Sequence, residues 1–169
     1  DGFAMDPNAL HIWPRGGAGL GLSGTESASC RRAGRKAQPM TRYLLDTHVI
    51  YRWMRDDRRL GRELRRILAE AECAVSVASV WEMLIKNGKG KLPLPAGSLT
   101  GALEAQGFRV LTITGRHVEA TRRFDQAIAD PFDRLLVATA AEEGMLLVTQ
   151  DGAILDLAEK SRLPVADIS

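Results

Sequence analysis

The chain has 169 residues, 45% of them hydrophobic and 26% charged, with a net charge of +2. That suits one ordinary soluble domain with a sizeable core, and no apolar run reaches the roughly 18 to 20 residues a membrane span requires. The two cysteines, Cys30 and Cys73, have neither metal-ligand spacing nor the pattern of a disulfide framework, so a protein of the reducing cytoplasm is expected.

The distribution of charge says more than its sum. Residues 1–39 carry five bases and three acids, which leaves 18 of each in the remainder and no net charge there. The body of the chain is therefore not a generic polycation, and nucleic-acid contact has to come from local clusters. One cluster is Arg52, Arg55, Arg58, Arg59, Arg62, Arg65 and Arg66. With Asp56, Asp57 and Glu63 interspersed, it reads equally as a solvated helix face.

Residues 1–39 hold seven glycines and three prolines and show no sustained period, so they are expected to be a disordered or non-native extension, basic run Arg31 to Lys36 included. Met40 is the expected start of a domain spanning 40–169. From there short apolar runs alternate with amphipathic stretches, the pattern of an α/β fold around a parallel sheet. A first strand covers Arg42 to Leu45, with helices over Thr47 to Met54 and Gly61 to Glu70. Cys73 to Val75 is a second strand. Ser76 caps a helix whose apolar positions Val77, Val80, Trp81, Leu84 and Ile85 predict a buried stripe that ends at Asn87-Gly88.

A loop over Gly90 to Pro95 leads to a helix over Ser98 to Gln106. A third strand follows over Phe108 to Ile113, then a helix from Thr114 to about Asp125. Asp130 fits an N-cap, Pro131 the first helical position and Asp133 the third, and Gly144 ends that helix. Met145 to Val148 is the fourth strand. Asp151-Gly152 begins a turn and a short helix, and a last strand is expected near Pro164 to Ala166.

Asp46 and Asp151 follow strand ends, where a parallel sheet gathers its ligands, and Glu82 and Asp133 lie on helices between them. Clustered carboxylates repel unless protonated, paired or bridged by a hard cation. Each acid also has a purely structural reading: Asp46 and Asp133 as helix-terminal acids, Glu82 paired with Lys86 at i+4, Asp151 in its turn. His48 follows Asp46 closely enough to touch a substrate, whereas His117 is expected at the surface. Trp81 is expected in the core, and Trp53 fits either core or base stacking.

Four segments resemble, in order, the motifs of PIN-domain nucleases, nearest the VapC-type toxins. They are Leu44-Leu45-Asp46-Thr47-His48; Val77 to Glu82 with Ile85-Lys86 and Gly90-Lys91-Leu92; Asp130-Pro131-Phe132-Asp133-Arg134-Leu135-Leu136-Val137-Ala138; and Leu147 to Asp151. The resemblance covers Met40 to Ser169. It implies a three-layer α/β/α sandwich with a central parallel sheet, and Mg²⁺- or Mn²⁺-dependent endoribonuclease activity leaving a 5′-phosphate and a 3′-hydroxyl.

By the same resemblance Asp46 and Asp133 are the principal metal ligands. Glu82 and Asp151 complete the catalytic pocket, and Thr47, Thr149 and Asp130 support it. Lys86, Lys89, Lys91 and Arg134 are candidates to hold RNA, because phosphates do not approach four carboxylates unaided. The implied partners are single-stranded or structured RNA, a cognate antitoxin of a type II pair whose C-terminal segment lies in the substrate groove, and a second copy. Ile50, Tyr51 and Met54 offer a surface for that copy, though core packing accounts for them equally. A housekeeping or DNA-directed PIN nuclease and a non-catalytic RNA- or antitoxin-binding module are the alternatives. A receiver domain also gathers acids at strand ends, but needs a lysine after its last strand, and Lys160 precedes it.

Overall fold

A computed structural model describes residues 41–161 and 163–166. The expectations for residues 1–39 lie outside these. The elements are β1 (Arg42–Leu45), α1 (Thr47–Met54), α2 (Arg62–Glu70), β2 (Glu72–Ser76), α3 (Val77–Gly88), α4 (Leu99–Ala105), β3 (Arg109–Leu111), α5 (Gly115–Ala120), a 3₁₀ turn (Thr121–Phe124), α6 (Pro131–Glu143), β4 (Leu146–Val148) and α7 (Gly152–Ser161).

The four strands form one sheet in the order β3-β2-β1-β4, and each neighbouring pair is parallel. Leu44 of β1 lies in register with Ala74 of β2 and Leu147 of β4, and Leu45 with Val75 and Val148. Because side chains alternate along a strand, these two rows serve opposite faces of the sheet. Leu44, Ala74 and Leu147 pack with Leu136, Val137 and Ala140 of α6 and Ile154 of α7. Leu45, Val75 and Val148 pack with Val49 and Ile50 of α1, Leu64 of α2 and Leu103 of α4. Helices on both faces of a parallel sheet make the expected α/β/α sandwich. Leu44 is fully buried, and its truncation to Ala is worth about 2–5 kcal/mol.

Several expectations need correction. The inward face of α3 is rotated from the predicted stripe: Ala78, Ser79, Val80 and Met83 are buried, while Trp81 is 60% and Leu84 52% exposed. Small residues let α3 approach its neighbours closely, and that ranks Ser79 above Trp81 for burial. Ile50 and Met54 belong to the core and Tyr51 packs against it, so these residues offer little apolar surface to a second copy. Trp53 also lies against the core, its ring 6.2 Å from that of Phe108 in an edge-on contact.

His117 is buried, contrary to its expected surface position. Its Nδ1 accepts from the Thr114 backbone N–H at 3.3 Å, completing a capping box, and its Nε2 lies 3.0 Å from Glu143. The predicted helix from Thr114 stops as an α-helix at Ala120 and tightens into the 3₁₀ turn. The predicted last strand is a single parallel bridge between Val165 and Leu147, since Pro164 has no N–H to extend a ladder. No described helix is long and apolar enough to cross a membrane.

Candidate active site

Strand order creates the crevice. From central β1 the sheet grows toward β2 and β3 on one side and β4 on the other, and such a switch point opens a cleft beyond the carboxyl ends of the strands. Asp46, the first residue past β1, stands there. Its backbone N–H continues the ladder to the Val148 carbonyl at 3.0 Å, and its side chain caps α1, with the His48 N–H 3.4 Å from Oδ1. The other oxygen accepts a 2.7 Å bond from the hydroxyl of Thr149, just past β4. Asp46 and Thr149 are both buried. Burial raises the Asp46 pKa, against the lowering effects of the Thr149 bond and of nearby His48.

Glu82 reaches the same crevice from α3, which Ser76 caps through the Ala78 N–H. One Glu82 oxygen accepts a 2.6 Å bond from the Thr47 hydroxyl, and the other lies 2.6 Å from the Lys86 ammonium one turn later. That ammonium is also 3.5 Å from Nε2 of His48. Thr47 and Lys86 thus hold Glu82 in place, and Lys86 links it to the residue beside Asp46. The predicted Glu82–Lys86 pair coexists with placement in the pocket, so its structural and functional readings do not compete.

Asp133 enters on the first turn of α6. Asp130 caps this helix, accepting from the Phe132 N–H at 2.8 Å and the Asp133 N–H at 3.2 Å, with Pro131 at the helix start and Gly144 closing the far end at φ +61°. Among the described residues, no donor bonds the Asp133 carboxylate. Burial first, then the charges of Asp46, Asp130, Asp151 and Glu82, push its pKa up to about 7. Asp151 caps α7 through the Ala153 and Ile154 N–H groups at 2.9 and 3.1 Å, and its own N–H bonds the Thr149 hydroxyl at 3.0 Å. The structure therefore gathers Asp46, Glu82, Asp133 and Asp151, with Asp130 and both threonines, into one electrostatic neighbourhood.

This all-oxygen donor set suits a hard divalent cation, which would offset the negative charge crowded around Asp133. Among the described residues, no three His, Cys, Asp or Glu side chains stand close enough to hold an ion between them. The fit is thus to Mg²⁺ or Mn²⁺ taking one or two carboxylates and water for the rest of its shell.

The expected cations are placed unevenly. Lys86 lies inside the cluster, whereas Lys89 and Lys91 are exposed at the end of α3. Arg134 turns to Asp125 at 2.6 Å. In the arginine-rich segment, Arg59 pairs with Asp57, Arg65 with Asp56, and Arg66 with Glu63 and Glu70, so these charges are already satisfied. Sequence reasoning missed the His48–Lys86 contact and the exposed Trp81 ring, which meets Phe132 edge-on at 5.3 Å. The Trp81-Glu82 and Phe132-Asp133 adjacencies were the available signal.

Two kinds of likeness bear on this geometry. The chain is 34% identical over 116 residues to Ribonuclease VapC22 of Mycobacterium tuberculosis, a match covering 66% of this chain and 88% of that protein. In fold it is similar to a toxin–antitoxin complex chain from Klebsiella pneumoniae, with TM-score 0.50, 19% identity and coverage of 74% and 96% of the two chains. It is also similar to VapBC-1 from nontypeable Haemophilus influenzae, with TM-score 0.50, 16% identity and coverage of 75% and 98%. The PIN domain family pattern matches residues 43–160, from β1 into α7, and with that span this chain belongs to the PIN-domain family.

Proposed function

We propose that this protein is a metal-dependent endoribonuclease acting as the toxin of a type II toxin–antitoxin pair in the cytoplasm. The observation that carries this reading is Asp133, left without a hydrogen-bond donor among the described residues and pushed to about 7 amid the other carboxylates. A carboxylate whose charge is so disfavoured is suited to a cation. The M. tuberculosis relative is a ribonuclease, which supports RNA as substrate, and the toxin–antitoxin complex from Klebsiella pneumoniae supports an antitoxin partner.

Asp46 and Asp133 would hold Mg²⁺ or Mn²⁺, with Glu82 and Asp151 contributing through water. When bound, such an ion acidifies water for in-line attack on a phosphodiester and offsets charge on the leaving oxygen. The chain's own residues do the positioning. Thr149 fixes the Asp46 carboxylate, while Thr47 and Lys86 fix that of Glu82. Asp130 holds the N-terminus of α6, and thereby Asp133, at the mouth. Lys89 and Lys91, both exposed, would hold RNA phosphates outside the acidic pocket, with Lys86 and Arg134 contributing on α3 and α6.

The test is cleavage of a mixed tRNA, rRNA and mRNA pool by purified protein with Mg²⁺, Mn²⁺ or EDTA. Discrete fragments that disappear with EDTA and in Asp46→Asn or Asp133→Asn support the reading. Cleavage that persists under all three conditions overturns it.

A further inference from the structure

Trp81 is 60% exposed, on a side of α3 away from the inward face that Val80 and Met83 supply. Its ring meets that of Phe132 at a 60° interplanar angle with centroids 5.3 Å apart, joining α3 to the start of α6. Each ring is the chain neighbour of a pocket acid, Trp81 of Glu82 and Phe132 of Asp133. An aromatic pair thus sits across the two helices that deliver carboxylates to the crevice. Lys86 and Arg134 bring positive charge to the same helices.

We infer that Trp81 and Phe132 form a stacking subsite for one unpaired nucleobase beside the acidic pocket, and that this subsite fixes the position of the strand along the two helices. The inference rests on the ribonuclease reading and adds a strand-positioning element to it. Single-stranded nucleic acids bind by stacking bases on exposed aromatic rings, while phosphates are held by separate cations. The edge-on contact with Phe132 steadies the indole before RNA arrives, so little ordering is left for binding. Leu84 and Val118 are also exposed, but aliphatic side chains provide no stacking face, and Leu84 therefore serves as an internal control.

The experiment measures binding of fluorescein-labelled single-stranded oligoribonucleotides by anisotropy in Mg²⁺, using the Asp46→Asn background. It compares Trp81, Trp81→Ala, Trp81→Phe and Leu84→Ala. Steady-state cleavage with Asp46 intact and light scattering run alongside. Trp81→Ala should bind about ten-fold more weakly and raise KM with kcat retained, Trp81→Phe should recover most of the loss, and Leu84→Ala should match the parent. Removing one base at a time should cost the parent affinity at a single position and cost Trp81→Ala nothing further there.

Equal affinity in Trp81→Ala, or a missing-base penalty that survives the substitution, overturns the subsite. So does a dimer lost in Trp81→Ala with RNA affinity unchanged, which assigns the rings to protein contact. If the unsubstituted protein neither binds nor cuts RNA, the ribonuclease reading fails as well. If it does both and Trp81→Ala equals it, only the subsite fails.

Discussion

The connection between α1 and α2 and the acidic pocket hold the same carboxylate chemistry under opposite conditions. Asp57 sits in the connection, where Arg59 grips it through side chain and backbone and lowers its pKa to about 2. Asp133 sits in the pocket, where burial and four acids raise its pKa to about 7. Nearby bases are not what distinguishes the pocket, since Lys86 and Arg134 are close by but turned to Glu82 and Asp125. The same fold that neutralises Asp57 with an arginine leaves the Asp133 carboxylate without a donor among the described residues, and that difference is what the proposed cation would answer.

The largest expected effect comes from exchanging the two environments' aspartates for asparagine. Asp133→Asn should lower RNA cleavage about a hundredfold or more, the scale of removing one electrostatic stabiliser, while Asp57→Asn leaves it unchanged. Equal losses in the two variants, measured by single-turnover cleavage, would erase the contrast.

Next in size is the response to metal. Mg²⁺ should raise the thermal midpoint at neutral pH, by a free energy of about 2.7 kcal/mol when the ion is at a hundred times its dissociation constant. Asp133→Asn should blunt that rise in differential scanning fluorimetry, and Asp57→Asn should not.

A smaller effect separates the two regions by pH. In EDTA, Asp133 in the folded protein keeps its proton between its ordinary value of 3.8 and about 7, while the unfolded chain loses it. Its contribution to stability is therefore present below 3.8 and lost as pH rises through 7. Asp57 has the opposite sign: its contribution is present above 3.8 and lost as pH falls toward 2, and solvent screening keeps it small. Thermal midpoints across this range should fall with rising pH in the parent protein and flatten in Asp133→Asn.

The smallest effect is that of Arg59→Ala, which should leave both midpoint and cleavage essentially unchanged, because an exposed ion pair contributes little. A clear loss of RNA affinity in that variant would show that Arg59 leaves Asp57 to meet substrate.

Much of the candidate site's arrangement was legible in the sequence. The order of Asp46, Glu82, Asp133 and Asp151, and the Asp130-Pro131 start of α6, follow from local rules of strand ends and helix caps. Convergence was not local. It depends on the strand order β3-β2-β1-β4, which sets Asp46 beside Thr149 although 103 residues separate them. The misplaced residues failed for a related reason. Apolarity alone ranks Trp81 for burial above Ser79, and a helical His117 looks solvated until Glu143, 26 residues away, supplies a partner for its ring.

The register of β1 has a consequence for errors in folding. Leu44 and Leu45 feed opposite cores, and Asp46 follows them at the crevice, so a one-residue slip would send each leucine to the wrong face and carry the aspartate out of line with Thr149. Copies that misalign are thereby penalised in persistence and in chemistry at once. Under the proposed nuclease reading this coupling acts as proofreading: a chain that has not found its correct alignment carries no assembled pocket with which to cut.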